Sequence, residues 1–289
     1  MSTTSDAPAP TRPHTLADPP RKRTDTASAR RSHDQLDEGT AGRLRRWNVI
    51  AGLAHLASGA VFLAIVNDFQ LPITSSFATE DPALLVGAPP TEVLTDVTVG
   101  YGVAAFSLLS AFFHLLVATG ANRSYNRRIA IGQNPYRWVE YSLSSTLMIL
   151  LIVMLLGAYD VGTLIAVAGA NVAMILFGWV MERINRAGSG DVDWAPFVFG
   201  SIVGLVPWAV AGTYFAGALG NADEAVPAWV WGVFFSVFAL FNCFAVNQLL
   251  QYKGVGKWRR YVFGEGVYIA LSLIAKTALM WQVYFGTVR

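Results

Sequence analysis

Long apolar stretches separated by short polar segments make up the chain from Trp47 onwards. A helix that crosses a bilayer needs about 20 mostly apolar residues. Seven stretches meet this requirement, so the pattern predicts an all-α membrane protein, a seven-transmembrane helix bundle. We number these stretches spans 1 to 7, and their predicted bounds are about 47–66, 97–119, 136–157, 163–181, 195–218, 227–250 and 261–286.

Two polar segments outside the spans are long enough to interpret. Residues 1–42 are rich in Ser, Thr, Pro and mixed charges and cannot bury a core, which predicts a disordered cytoplasmic tail before a membrane domain at 43–289. The linker 67–96 is predicted to be an extracellular loop with room for a small hairpin. No apolar run precedes Trp47, so we expect no cleavable signal peptide.

The composition agrees with a membrane protein. Of the 289 residues, 54% are hydrophobic and 14% are charged, and the mean hydropathy is +0.43. A soluble domain carries about 25% charged residues. The single cysteine, Cys243, excludes a disulfide framework and a cysteine-rich metal site, and we expect no bound metal.

The distribution of basic residues predicts the orientation in the membrane. Lys and Arg favour cytoplasmic loops. The loops 67–96, 158–162 and 219–226 contain neither, whereas twelve basic residues lie on the opposite side of the predicted spans. The N-terminus is therefore predicted to be cytoplasmic and the C-terminus extracellular. The twelve residues are Arg43, Arg45, Arg46, Arg123, Arg127, Arg128, Arg183, Arg186, Lys253, Lys257, Arg259 and Arg260.

Lys276 lies near the middle of span 7, in the stretch "GEGVYIALSLIAKTALMWQVYFG". A charged lysine at the centre of a bilayer costs a few kcal/mol or more. Two structural explanations are a side chain that reaches the interface and a lysine kept neutral by desolvation. The first is unfavourable, because about ten residues, roughly 15 Å of helix, separate Lys276 from the outer end of the span. The functional alternative is an amine that forms a Schiff base with a carbonyl compound.

Span 3 supplies an acidic partner for such an amine. Its run "NPYRWVEYSLSSTLMILLIVMLLG" holds a single membrane-embedded acid, Glu140, with Ser144 one turn deeper. On span 7, Ser272 precedes Lys276 by one turn and offers a hydroxyl to the same nitrogen. An ion pair between Glu140 and Lys276 inside the membrane would be a functional site.

The motifs "RWVEYS" on span 3 and "SLIAK" on span 7, in a chain with its N-terminus inside, resemble the heliorhodopsins, a retinal-binding family. The resemblance covers residues 43–286. It implies all-trans retinal bound to Lys276 as a Schiff base, Glu140 as the counterion and Ser272 beside the linkage.

Two histidines lie in the same half of the membrane as Glu140. His55 on span 1 and His114 on span 2 are each roughly 9–12 Å from the cytoplasmic boundary at 1.5 Å per residue. A lone buried histidine is usually a packing residue, but two at matched depth beside a carboxylate favour a polar cavity that holds water. With an ordinary pKa near 6.5, such a pair can share a proton, and the resemblance implies that they accept one from the Schiff base.

Residues on spans 3 to 6 are candidates for the walls of a retinal cavity. If the protein binds no cofactor, these residues are ordinary packing residues. Gly178, which has no side chain, is expected to leave room for the ionone ring, and the resemblance favours it together with Met174, Trp208 and Phe241. The full set of candidates is Trp138, Tyr141, Ser144, Ser145, Asn171, Met174, Gly178, Pro207, Trp208, Phe238, Phe241 and Gln248.

The sequence favours a light sensor over an ion pump. By resemblance, a proton pump would carry a second carboxylate about three turns after Glu140, where Leu151 stands, and an acid in the place of Ser272. The function predicted is a non-enzymatic photoreceptor of the cell membrane, in which the proton moves to the polar cluster on the cytoplasmic side without net transport. Open alternatives are a light-driven or light-gated ion transporter and a retinal-independent transporter or scaffold.

Two kinds of protein partner are expected. The spacing "GSIVG" at residues 200–204 brings helices together, either within the bundle or in a homodimer. The basic cytoplasmic loops could bind a signalling protein, or they could serve only to fix the topology.

Overall fold

The computed structural model describes residues 36–77, 89–221 and 226–287 of the chain. It consists of helices and one antiparallel hairpin. Their bounds are α1 Glu38–Ala64, β1 Gln70–Ser76, β2 Thr91–Thr98, α2 Val99–Ala118, α3 Asn122–Ala130, α4 Pro135–Leu155, α5 Val161–Ile184, α6 Ala195–Asn221, α7 Ala228–Tyr252 and α8 Tyr261–Thr287, with a 3₁₀ turn at Gly256–Arg259.

All seven predicted spans are helices that are long and apolar enough to cross a membrane, which confirms the predicted fold class. They are α1, α2 and α4 to α8. Large apolar side chains cover their outer faces: Ile165, Leu205 and Phe285 are each about two-thirds exposed. Such surfaces suit contact with lipid, as expected for a multi-pass membrane protein.

The first span begins earlier than its apolar pattern indicates. Helix α1 begins at Glu38 rather than at about residue 47, so residues 38–42 belong to a helix and not to the predicted tail. The carboxylate of Asp37 accepts a hydrogen bond from the backbone N–H of Thr40 at 2.8 Å and caps this end. Hydropathy marks only the part of a helix that lipid can cover, so it misses a polar first turn. Residues 1–35 of the predicted tail lie outside the described residues.

The predicted hairpin in the loop 67–96 is confirmed. Strands β1 and β2 pair antiparallel with Gln70 opposite Thr98. Thr74 also forms a bridge with Asp160 between α4 and α5, and the side-chain amide of Asn67 donates to the carbonyl of Thr287 at 3.2 Å. The hairpin therefore lies at the end of the bundle where α4 and α8 end, which we name the hairpin end.

The opposite end of the bundle carries the basic residues, and we name it the basic end. Nε of Arg45, near the start of α1, donates to the carbonyl of Ala118 at the end of α2 at 2.9 Å. The short helix α3, with Arg123, Arg127 and Arg128 exposed, joins α2 to α4 at the same end. The segregation of charge predicted from the loops is therefore present in the structure.

Helix α4 is the centre of the bundle and contacts α2, α5 and α6, while α1 packs on α2 and α8. Helices α6 and α7 meet through aromatic side chains. The ring of Trp208 lies 5.0 Å from that of Phe238 and 5.6 Å from that of Phe241, both edge-on. These aromatic contacts join α6 to α7 at the level of the cavity described below.

The glycines of "GSIVG" serve contacts within the chain. A Cβ on Gly204 would lie 2.5 Å from the sulfur of Met174, and one on Gly200 would lie 3.0 Å from Cβ of Phe177. Both neighbours are on α5. The spacing therefore brings α5 and α6 together, and it supplies no argument for a homodimer.

Candidate functional site

The structure brings Lys276 of α8 and Glu140 of α4 together inside the bundle. Nζ of Lys276 lies 2.9 Å from Oε1 of Glu140, and each residue is 3% exposed. Removing one member of a buried ion pair leaves an uncompensated charge, which is far more costly than losing a pair at the surface. The two residues therefore form a buried ion pair, which is the contact that the sequence predicted for their side chains.

The backbones of Glu140 and Lys276 lie at different depths in the bundle, and the lysine side chain spans this difference. At 1.5 Å per residue, Glu140 lies about 8 Å from the start of α4, whereas Lys276 lies about 23 Å from the start of α8. Side chains lean towards the N-terminus of their helix, and α8 begins at the basic end. Nζ donates to Oγ of Ser272, one turn earlier, at 2.8 Å, so the side chain runs back towards Glu140.

Hydroxyl groups surround the carboxylate. Oε1 of Glu140 accepts hydrogen bonds from Ser110 at 2.5 Å and Ser144 at 2.8 Å, in addition to the bond from Lys276. Bonds of this kind to a charged oxygen are stronger than those between neutral groups. Ser110 was missed in the sequence, where a serine within an apolar span carries little signal; its spacing of four from His114, on the same face of α2, could have identified it.

The two predicted histidines lie against each other. The rings of His55 and His114 are stacked, with their centroids 5.6 Å apart. Nδ1 of His114 lies 2.8 Å from Oδ1 of Asn48, and Nε2 of each histidine is buried with no hydrogen-bond partner among the described residues. The pair therefore presents two free ring nitrogens in a buried setting.

A cavity of about 240 Å³ begins at Lys276 and extends between α4, α5, α6, α7 and α8. Among the described residues that line it, Lys276 carries the only charged group, and most of the others are apolar or aromatic. An apolar, largely aromatic wall with one reactive amine fits an apolar aldehyde such as retinal. The predicted residues in the wall are Trp138, Tyr141, Ser145, Met174, Gly178, Trp208, Phe238, Phe241, Gln248 and Ser272, and residues that the sequence did not predict include Phe197, Phe244 and Tyr268.

Three predicted wall residues do not line this cavity. Ser144 donates to Glu140 instead. The amide of Asn171 donates to the hydroxyls of Ser145 and Thr146, each at 2.9 Å, which holds it behind the wall. Pro207 is buried within α6, and its neighbour Trp208 faces the cavity.

Gly178 has a different role from the predicted one. The space that its missing side chain leaves is filled by the indole of Trp138, which would lie 2.5 Å from a Cβ at this position. The amide of Gln248 donates to the carbonyl of Gly178 at 3.0 Å. The glycine thus admits Trp138 into the wall and itself lines the cavity, and its contact with a ring of the ligand stays a prediction.

A second buried charge cluster lies between this site and the basic end. The guanidinium of Arg137 forms ion pairs with Glu182 of α5, at 2.9 Å, and with Glu265 of α8. It also stacks on the ring of Tyr268, 3.9 Å from the centroid. Glu265 is only 2% exposed. The sequence contains a signal for this cluster, because each of the three charges lies at the basic end of an apolar span.

Comparisons with known proteins place the chain among the rhodopsins. The family model described as Heliorhodopsin matches residues 44–288. A light-driven proton pump from Leptosphaeria maculans matches with 12% identity and a TM-score of 0.55, over 87% of this chain and 97% of that one. A thermophilic rhodopsin matches with 12% identity and a TM-score of 0.54, over 88% and 97%. At these identities the two structures show the shared fold alone. The comparison with curated proteins gives no match.

The packing of Trp138 against Gly178 leads to a stability prediction. A Gly178→Ala substitution should destabilise the protein by about 1–3 kcal/mol, because the new methyl group would overlap a rigid ring. Gly169→Ala on the same helix is the matched control, since a Cβ there meets nothing within 4 Å. Thermal unfolding in detergent measures both variants. Equal unfolding midpoints for the two would contradict this packing.

Proposed function

The chain belongs to the heliorhodopsin family, and from this premise we propose that it is a light sensor built around Lys276 that moves a proton internally without net ion transport. The family and the rhodopsin fold imply a retinal-binding, light-responsive membrane protein. The observation that carries the proposal is the buried contact between Lys276 and Glu140 at one end of an apolar cavity. We propose no enzymatic activity.

Lys276 is the attachment point. Its amine would hold all-trans retinal through a Schiff base, and retinal would supply light absorption and a light-driven change of shape. Glu140 neutralises the positive charge that stays on the lysine nitrogen, and Ser272 accepts a hydrogen bond from it. The aromatic wall holds the polyene and excludes water from the linkage.

The proton of the Lys276 nitrogen passes to the cluster formed by Glu140, His55 and His114. This cluster is suited to the task because two imidazole nitrogens are buried beside a carboxylate and have no hydrogen-bond partner in the described part of the chain. A proton that enters it neutralises Glu140 or charges a histidine. Either event changes the electrostatics of the basic end, where Arg123 and its neighbours lie exposed.

The distribution of polar groups supports internal proton transfer over transport. Between Lys276 and the hairpin end, the described core holds no buried carboxylate, lysine or histidine, and the polar contact between Ser236 and Gln282 there involves no titratable group. The fully buried residues of this region include Ile149, Ile152, Val153, Leu279 and Met280. Buried carboxylates and histidines instead lie towards the basic end.

The orientation and the partners belong to the same proposal. We place the basic end in the cytoplasm, because Lys and Arg favour cytoplasmic loops, with the N-terminus inside and the C-terminus outside. The basic loops are the proposed contact for a cytoplasmic signalling protein. Assembly as a homodimer stays a prediction.

Reconstitution with retinal tests the attachment. The unaltered protein should gain a visible absorption band, and Lys276→Ala should lose it because, among the described residues that line the cavity, Lys276 alone carries an amine. Lys257→Ala, in the 3₁₀ turn at the basic end, is the matched control and should keep the band. A band that survives Lys276→Ala, or no band in the unaltered protein, would leave only a retinal-independent role.

Substitution of the carboxylate tests the counterion. Glu140→Gln should shift the band to longer wavelength, because the carboxylate stabilises the charged linkage in its ground state. Glu38→Gln, at the exposed start of α1, is the control for the chemical change alone. An unchanged spectrum and pH titration in Glu140→Gln would remove Glu140 from this role.

Cysteine labelling tests the proposed orientation of the bundle in the membrane. In intact cells, a membrane-impermeant thiol reagent should label a cysteine placed at Thr91, on the hairpin, and should not label one placed at Arg127, on α3, because the hairpin end faces outwards. The reverse pattern would contradict the proposed topology.

A separate measurement tests the absence of transport. Light-dependent pH changes of the medium that a protonophore abolishes would favour a transporter.

A further inference from the structure

A second, smaller cavity connects the two charge clusters. Its volume is about 30 Å³, and its lining includes Glu140 and His114 on one side and Arg137 and Glu265 on the other. A polar cavity needs only about 10–15 Å³ to hold a water molecule. Nε2 of His114 and Nε of Arg137 are buried and have no partner among the described residues. Buried polar atoms normally have a partner, and the cavity has the volume and the polar lining to hold water.

The hydrogen bonds of Asn48 fix which nitrogen of His114 can accept a proton. A carbonyl oxygen only accepts, so Nδ1 of His114 must carry the hydrogen in its 2.8 Å contact with Oδ1 of Asn48. The amide nitrogen of Asn48 donates to the carbonyl of Leu44 at 2.9 Å, which agrees with this assignment of the amide. Nε2 of neutral His114 is therefore the basic nitrogen, and it belongs to a residue that lines the small cavity.

Glu265 is held as a carboxylate by donors on several elements. Oε1 accepts from Asn134 at 2.7 Å and from the hydroxyl of Tyr125 at 3.1 Å, and Oε2 accepts from Arg137. Burial raises the pKa of the Tyr125 phenol, so Tyr125 keeps its proton and acts as a donor. The amide of Asn48 contacts the same phenol at 3.4 Å, which ties Glu265 to the group that orients His114.

The cluster around Arg137 has an excess of negative charge. Two carboxylates, Glu182 and Glu265, share one guanidinium, so the three groups together carry one net negative charge when all are ionised. Glu182 also accepts from Trp138 and Tyr261. Glu182 does not line the small cavity, whereas Glu265 does. Of the two carboxylates, Glu265 is thus the one placed to receive a proton.

We infer that Glu265 is the group that stores the proton after it leaves the Lys276 region, and that it receives this proton from His114 through water in the small cavity. This inference rests on the proposed function. In the transfer, the N–H bond at the Lys276 nitrogen breaks and an O–H bond forms on Glu265, with no other reactant. The carboxylate becomes a neutral acid and its ion pair with Arg137 is lost.

Storage on Glu265 also gives the event a structural consequence. Arg137, Glu182 and Glu265 tie the basic ends of α4, α5 and α8 to one another. Neutral Glu265 leaves Arg137 paired with Glu182 alone, which removes the ion pair between α4 and the start of α8, while the stacking of Arg137 on Tyr268 remains. The displacement would appear at the basic end, where a soluble partner can detect it.

Infrared spectroscopy of Glu265→Gln tests the inference, with Glu38→Gln as the matched control. In light-minus-dark spectra, the unaltered protein and the control should show a new C=O band of a protonated carboxylic acid, and Glu265→Gln should lose it while keeping its visible band. In the retinal-free protein, acidification protonates many carboxylates, and the spectrum of the same variant should lack the component that belongs to Glu265. Persistence of the light-induced band in Glu265→Gln, or an acid-induced spectrum identical to that of the control, would overturn the inference.

A second variant covers the case in which Glu265→Gln does not fold. Tyr125→Phe keeps the ring and removes one hydrogen bond to Glu265, so the light-induced C=O band should shift in frequency; an unshifted band would overturn the inference.

The results that contradict the proposed function differ from those that contradict this inference alone. If the unaltered protein forms no visible band, the proposed function is lost, and this inference with it. A C=O band that survives in Glu265→Gln overturns only the storage role.

Discussion

The ion pair between Lys276 and Glu140 is the constraint on which the rest of the bundle depends. Two opposite charges, each 3% exposed, lie 2.9 Å apart in a structure whose outer faces are apolar. Such a pair is rarely worth its cost in stability alone, because the desolvation of both ions offsets their attraction. The hydroxyls of Ser110, Ser144 and Ser272 complete its hydrogen bonds. A bundle that maintains this arrangement beside an apolar cavity is organised for chemistry at the lysine nitrogen.

The bundle is polar on one side of this pair and apolar on the other. Towards the hairpin end, the described core consists of residues such as Ile149 and Leu279, fully buried and without polar atoms on their side chains. Towards the basic end, His114, Asn48 and the Arg137 cluster follow one another through hydrogen bonds and a small cavity. Among the described residues, the buried carboxylates and histidines therefore lie towards the basic end. This asymmetry supports the proposal of internal storage rather than transport.

The sequence predicts much of this because burial of charge in a membrane is rare. Lys276 stands out as the single basic residue of span 7 and Glu140 as the single acid of span 3, and loop charges predict the segregated ends. Other features depend on packing that periodicity cannot show. Gly178 admits the indole of Trp138, Asn171 turns to two hydroxyls behind the wall, and Arg137 pairs with carboxylates 45 and 128 positions away in the chain. The early start of α1 at Glu38 was missed because its first turns are polar.

The proposed bond between Lys276 and retinal can be located directly. Protein supplied with all-trans retinal is treated with borohydride, which reduces a C=N bond to a stable amine, and the peptides are then mapped by mass spectrometry. The account predicts that the retinyl group is found on Lys276, and that treatment of the retinal-free protein leaves this peptide unmodified. A bare Lys276 amine, or a retinyl group on Lys253 or Lys257 instead, would contradict it.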